Sequence, residues 1–379
     1  MLRILTAGES HGKTLLALLD GFPAGLKIDT EAINVELKRR QGGYGRGGRQ
    51  KLETDQVDVQ TGIWQGVTLG SPITLAVINR DYKLERLKEL ERPRPGHGDL
   101  TGAVKYLGSI RGILERASAR ETAARVAAGA LAKQLLGEFG MTVFGYVTEL
   151  EQIRTNPRSG SLEELRALRD ASPMYTLDPE ADKAIVARVD EATREGDTLG
   201  GIIEVRVEGP PFGLGSHAQW DQKLDGRLAQ AVMSIQAIKG VEIGLGFEAA
   251  RRPGSRVHDE IHYDPDRRED TTLGYVRPTN NAGGLEAGMT NGQPIVLRAA
   301  MKPISTLRKP LESINLASKQ TESAAYERSD VCALAAASVI VENVVAMTVA
   351  QAFVEKFGGD SITEMKARYA AFQELARQR

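Results

Sequence analysis

Two histidines sit in glycine-flanked segments: His11 in Gly8-Glu9-Ser10-His11-Gly12, and His97 in Pro95-Gly96-His97-Gly98-Asp99. The chain has only five histidines, so two in such settings stand out. Histidine is the usual side chain for proton transfer near neutral pH. A lone loop histidine is also compatible with a structural role. Metal binding is disfavoured, because neither histidine has a neighbouring ligand at a metal-like spacing.

A second kind of chemistry is suggested by basic loops. From Lys38 to Lys51 the chain reads KRRQGGYGRGGRQK, with six basic residues, five glycines and no acid. Arginines offer forked donors to phosphate and carboxylate. Glycines let backbone amides approach an anion. A solvated flexible loop and a Gly/Arg RNA-binding box are the competing readings; such boxes usually recur, and this one does not. Arg92-Pro93-Arg94-Pro95 precedes His97, and its prolines stiffen the segment. Lys302-Pro303-Ile304-Ser305-Thr306 and the run Thr279 to Gly284 are further polar loops with anion-binding capacity. There is no G-x-G-x-x-G fingerprint after a strand and no P-loop lysine, which disfavours a Rossmann domain or an NTPase.

These loops need elements to position them. Residues 118–136 read as a helix, with Ser118 and Glu121 in capping-box spacing and eight alanines between positions 115 and 136. Residues 330–357 form its counterpart, apolar nearly all round and therefore central. The amides at the two helix starts could face an anion, or be capped by Ser118, Ser329 or Asp330. Residues 73–78 and 202–207 read as strands. Residues 222–239 read as a helix stopped by Gly240. Residues 147–200 hold twelve acids and seven bases, and read as a surface excursion, helical around 162–170 and 180–195.

The chain also repeats itself. GFPAGL at 21–26 matches GPPFGL at 209–214, and GSPITL at 70–75 matches GQPIVL at 292–297. Glu115-Arg116-Ala117-Ser118 matches Glu327-Arg328-Ser329-Asp330. The shared order suggests one duplicated domain over 1–379, with halves of about 1–146 and 200–357 and the acidic excursion at 147–199 between them.

Composition sets limits. A net charge of −1 over 379 residues argues against a dedicated nucleic-acid binder, while leaving room for a local basic pocket. One cysteine, Cys332 among apolar neighbours, allows no intrachain disulfide and reads as an inert buried thiol. The N-terminal apolar stretch is too short for a signal peptide. Polar residues interrupt 331–354, which fits a core helix better than a membrane span. A cytoplasmic location without membrane partners is expected.

Over its full length the chain resembles the chorismate synthase family, bacterial-type and monofunctional. Three segments carry the resemblance: GESHGKTLLALLDGFP (8–23), ERASARETAARVAAGA (115–130) and RSDVCALAAASVIVE (328–342). RRQGGYGRGGR, RPRPGHGD and MKPIST are also similar to that family's loops. The resemblance implies an α+β fold, with helices sandwiched between antiparallel sheets, an internal pseudo-two-fold β-α-β repeat and a homotetrameric assembly. It implies a carbon–oxygen lyase of the shikimate pathway, serving aromatic amino-acid biosynthesis. The reaction is 1,4-trans elimination of phosphate from 5-enolpyruvylshikimate 3-phosphate. Reduced FMN is required without net redox change.

Site residues follow by position from the same resemblance. His11 would serve the leaving phosphate and His97 the reduced flavin, while Asp330 with Ser10 would relay a proton. Arg40, Arg46, Arg49, Arg94, Arg120 and Arg328 would clamp the substrate's anionic groups. Arg116, Ala117, Ser118, Gln236, Ala237, Ala287, Lys302, Pro303, Ile304, Ser305, Thr306 and Arg328 would contact FMN. Arg40 and Arg46 are also linked to NADP. Long insertions associated with intrinsic flavin reduction are missing, so NADPH is expected to act only through a separate flavin reductase. No metal is implied. A bifunctional enzyme that reduces its own flavin and a non-catalytic Gly/Arg RNA-binding protein are the alternatives.

Overall fold

In the computed structural model, residues 1–47, 53–327 and 329–379 are described. Two antiparallel sheets enclose a layer of helices. The first sheet has four strands in the order Arg3–Ala7, Thr14–Asp20, Ile73–Ile78 and Val57–Val59. The second has five, in the order Ile238–Ile243, Ile295–Met301, Gly201–Glu208, Thr142–Leu150 and Ile153–Arg154. Alternation explains the inward faces. Leu15, Ala17 and Leu19 of one sheet, and Ile203, Val205 and Val207 of the other, are buried at every second position.

Between the sheets lie the Ala-rich helix Thr122–Gly137, packed on the first sheet, and the helix Leu334–Phe357, packed on the second. The two helices also pack on each other. Alanine and glycine make this approach possible: a Cβ on Gly129 would lie 2.4 Å from the Asn343 carbonyl oxygen. Leu334–Phe357 is long and apolar enough to cross a membrane, but 94% of its most apolar window is buried inside the protein. Helix Thr30–Gln41 flanks both central helices, and Leu224–Met233 flanks the second.

The matched sequence segments take matching places. GFPAGL follows strand Thr14–Asp20, and GPPFGL follows Gly201–Glu208. GSPITL leads into Ile73–Ile78 and GQPIVL into Ile295–Met301, and each of these strands pairs antiparallel with its earlier one. The two Glu-Arg segments each precede one of the central helices.

Three local expectations are revised. The helix expected over 222–239 ends at Met233, and Ile238–Ile243 is a strand with Gly240 inside it. Ile235 and Ile238 stay buried, so the apolar spacing was real but served a turn and a strand edge. Ala237 takes φ 68° in that turn, and pairing with Ile295–Met301 overrides helix propensity. The capping box at Ser118 does not form. The Ser118 hydroxyl accepts from Arg120 N–H at 3.3 Å, and the Glu121 carboxylate is drawn away to Thr6 and Arg125. Residues 119–121 then make a 3₁₀ turn ahead of the helix. Finally, the loop at 279–284 is already filled by the protein's own anion. Asp259 accepts from the Thr279 hydroxyl at 2.5 Å, Asn281 N–H at 2.8 Å and Ala282 N–H at 2.9 Å.

Candidate active site

The turns that leave the two sheets and the starts of the two central helices meet at a cavity of about 550 Å3. Ser10, His11, Asp330 and His97 all line it, as do Arg40, Arg46, Arg94 and Arg120. Ala117, Ser118, Gln236, Ala237, Lys302, Ile304, Ser305 and Thr306 complete the expected set that the cavity gathers.

Each histidine is anchored on a buried carboxylate. His11 Nδ1 lies 3.0 Å from Glu115 Oε1, and its backbone N–H donates to Glu115 Oε2 at 2.8 Å. Its Nε2 is 3.8 Å from Asp81. Burial raises the Glu115 carboxyl, but hydrogen bonds from His11 outweigh it and hold the group below its usual range. His97 Nδ1 lies 2.6 Å from Asp99, which also accepts from Arg94 Nε at 2.8 Å and Arg94 Nη2 at 3.0 Å. Burial opposes ionisation of Asp99, yet the His97 and Arg94 hydrogen bonds drive its carboxyl well below normal. Arg94 therefore spends two donors on Asp99 and a third on Thr306 at 3.1 Å.

Both carboxylates lower their folded-state pKa, so the stability they contribute is complete above their unfolded values of 3.8 and 4.5. That stability is lost as pH falls through the depressed folded values. The melting temperature is expected to be level between about pH 5 and 7 and to fall steeply below about 4. Asp99→Asn, which cannot take up that proton, should flatten the acid limb in a thermal scan across pH.

Arginines on the other side are held just as firmly. Arg120 donates to Asp55 at 2.7 Å and to the Asn79 side-chain oxygen at 2.9 Å. Asn79 in turn donates to the carbonyls of Glu9, Ser10 and Gly12, tying the His11 loop to Arg120. Arg40 is buried 3.7 Å from Asp55. Burial, partly offset by Asp55 and reinforced by Arg120 and Arg46, draws its guanidinium down to about 10, still cationic at neutral pH. Arg46 pairs with Asp330 at 2.8 Å. The buried Arg46 Nε, Arg120 Nη2 and Gln236 Oε1 have no hydrogen-bond partner among the described residues. Buried polar atoms without partners are costly; the first two are guanidinium donors, while Gln236 Oε1 is an acceptor, and Arg120 Nη2 keeps Glu53 as a neighbour at 3.6 Å.

Burial and the neighbouring Lys239 charge push the Lys302 amine below its usual range. Both lysines line the cavity, and two neighbouring like charges favour an anion close by. Ala333, Ala336, Ala337 and Ile340 form a smooth apolar wall at the start of helix Leu334–Phe357. That helix is N-capped by Ala333 without a side-chain hydrogen bond, so its amides keep their partial positive charge towards the cavity. A flat aromatic ring system with a phosphate tail suits such a wall and such cations.

Some expected residues lie elsewhere. Arg116 donates to the Gly8 and Thr6 carbonyls, and neither it nor Pro303 lines the cavity. Ala287 lies in a tight turn anchored where Leu224 N–H donates to Gly288 O at 2.9 Å. That is the start of helix Leu224–Met233, whereas the cavity adjoins its end at Met233 and Ile235, a ten-residue helix away. Arg49 and Arg328 fall outside the described residues. Conversely, Lys239, Glu53 and Glu327 line the cavity without having been expected. The supporting acids Glu115 and Asp99 stood at the ends of motifs already noted, which was their available signal; Asp55 and Asn79 had none.

The family model for chorismate synthase matches residues 2–354. The chain belongs to the chorismate synthase family. A chorismate synthase of Geobacter metallireducens is 56% identical, with 100% of each chain covered. Those of Geobacter sulfurreducens and Desulforamulus reducens are 54% and 53% identical, again over 100% of each chain. A crystal structure of chorismate synthase superposes with a TM-score of 0.81 at 42% identity, covering 100% of this chain and 99% of that one. The α+β sandwich is thus the chorismate synthase fold. Chorismate synthases are lyases of aromatic amino-acid biosynthesis that require reduced flavin.

Proposed function

We propose that the cavity holds 5-enolpyruvylshikimate 3-phosphate beside reduced FMN, with His11, His97, Ser10 and Asp330 as its catalytic groups. The reaction is the family's: elimination of phosphate from that ester to give chorismate. The observation that carries the site assignment is the meeting of both imidazoles, Asp330 and four arginines in one cavity.

The substrate carries a phosphate and two carboxylates, and enclosing them requires several fixed cations. Arg40, Arg46 and Arg120 supply these from one side and Lys302 with Lys239 from another. Arg94 acts more through His97, since Asp99 already absorbs its charge. His11, steadied by Glu115, donates a hydrogen bond or proton to the departing phosphate oxygen. His97 is held by Asp99 through Nδ1, its Nε2 lies 3.4 Å from Arg94 Nη2, and the ring would face the cofactor across the cavity. Asp330 and Ser10 hold and move a proton at the cavity floor; Asp330 also fixes Arg46, and Ser10 accepts from the Ser118 hydroxyl at 3.1 Å. The chemistry supplied by reduced flavin, when bound, is transient electron donation that helps phosphate leave. Gln236, Ala237, Ser118 and the 302–306 loop would hold it.

Reduced flavin comes from a separate reductase, and Arg40 and Arg46 serve the substrate before any pyridine nucleotide. The matched segments of the two sheets support a duplicated unit, but the excursion expected over 147–199 begins only after Ile153–Arg154, because Thr142–Leu150 and Ile153–Arg154 are strands of the second sheet with Val147 and Leu150 buried. Leu5, Leu18 and Ile78 are exposed on the outer face of the first sheet, with Leu5 directly opposite Leu18, which supports self-association into the tetramer. The location is the cytoplasm. The decisive experiment is anaerobic mixing of the protein with reduced FMN and the enolpyruvyl ester. Stoichiometric phosphate release with chorismate absorbance is expected. Steady NADPH oxidation by the purified protein with oxidised FMN would overturn the monofunctional reading.

A further inference from the structure

The segment Gly42-Gly43-Tyr44-Gly45-Arg46-Gly47 delivers Arg46 to the cavity, yet four of its six residues are glycine. Such a chain loses much freedom on ordering and does not fix an arginine by itself. Two walls hold it. One is the approach to helix Leu334–Phe357. There Val331 N–H donates to Gly45 O at 3.0 Å, and Gly47 N–H donates to Asp330 at 2.5 Å. The other wall comes from the acidic excursion. Tyr44 N–H donates to Pro173 O at 2.8 Å, and the Tyr44 hydroxyl donates to Asp190 at 2.7 Å. A Cβ on Gly45 would lie 2.9 Å from Val189 Cγ1, and one on Gly42 would lie 2.4 Å from the Tyr175 hydroxyl oxygen.

Tyr175 is the centre of this wall. Its hydroxyl donates to Arg39 O at 3.1 Å, gripping the end of the helix that carries Arg40. Its backbone is left-handed at φ 57°, a strained conformation for a bulky residue that the surroundings must hold in place. The strain is sustained from both sides, by Val147 N–H donating to Tyr175 O at 2.9 Å and by the turn at Ser172. The same excursion reaches deeper through Arg169, 3.5 Å from Glu342. Glu342 is the buried acid that also accepts from Arg39 at 3.1 Å and Lys133 at 2.5 Å. Residues 169–190 therefore grip both the end of helix Thr30–Gln41 and the glycine loop that follows it. None of them lines the cavity.

We propose that Tyr175, with Tyr44 and Asp190, is a positioning residue for this reaction, holding Arg46 where the substrate's anionic group arrives. This rests on Arg46 being a substrate contact. Tyr175→Phe, which removes the grip on Arg39, should raise KM for the enolpyruvyl ester by about three- to tenfold, the range for one hydrogen bond. The kcat should stay within about twofold and the melting temperature near that of the parent. Asp190→Asn, an exposed conservative change, should act in the same direction. Because the effect passes through Arg46, Tyr175→Phe should add nothing to KM in an Arg46→Ala background, yet multiply fully with Lys302→Ala. A raised KM in Arg46→Ala alone with parental KM in Tyr175→Phe overturns the positioning role and leaves the substrate contact standing. Full multiplication in the Arg46→Ala background also overturns it. An unchanged KM in Arg46→Ala overturns the substrate contact and this inference together.

Discussion

His11→Ala is expected to lower kcat by about 10²–10⁴-fold in the anaerobic assay with reduced FMN, with KM changed far less. The reason is where the imidazole sits. Glu115 fixes one ring nitrogen, and the ring lines the same cavity as the basic side chains that would hold the substrate. Removing it would delete the proposed donor to the departing phosphate without removing the cations proposed to bind the ground state. Glu115→Gln keeps the shape but weakens the charge-assisted anchor, so a smaller loss in kcat is expected from it. Parental kcat in His11→Ala would overturn the assignment of the leaving-group donor.

Arg120→Ala is expected to damage both folding and binding. Its guanidinium is buried, donates to Asp55 at 2.7 Å and lies 3.6 Å from Glu53. Truncation leaves those acids buried with fewer counter-charges, and breaking such a pair costs on the order of 3–5 kcal/mol. A denaturant titration should show that loss in the midpoint at unchanged slope. KM for the enolpyruvyl ester should rise at the same time, because Arg120 is one of the cations that line the cavity. The double variant Arg120→Ala with Asp55→Ala separates the two effects. It should recover part of the stability by removing the orphaned carboxylate, while KM stays high. Full recovery of KM in the double variant would show that Arg120 serves only the fold.

Much of this molecule could be read locally. The strands at 73–78 and 202–207, the two apolar helices and the helices within the excursion follow from side-chain periodicity, which depends only on near neighbours. The glycine-flanked histidines and the basic loops announced anion chemistry through residue type alone. Cys332 behaves as its apolar neighbours suggested: it is buried, and burial pushes its thiol up to about 11. The family follows from long ordered motifs, which few folds could share.

The structure decided which of these groups act together and which are already satisfied. The 279–284 loop has an anion-binding shape, but Asp259 fills it. Arg94 looks like a free cation until Asp99 is seen beside it, and Ile238 has helical spacing until a strand claims it. Glu115 reaches His11 across 104 positions and Asp55 reaches Arg120 across 65, so no local pattern could pair them. Local propensities are worth a few tenths of a kcal/mol per residue, whereas a buried charge without its partner costs several. Sequence therefore determined the elements and the kinds of chemistry available here. Tertiary packing decided the pairings, because only the sheet order and the crossing of the two central helices bring the distant partners within hydrogen-bonding reach.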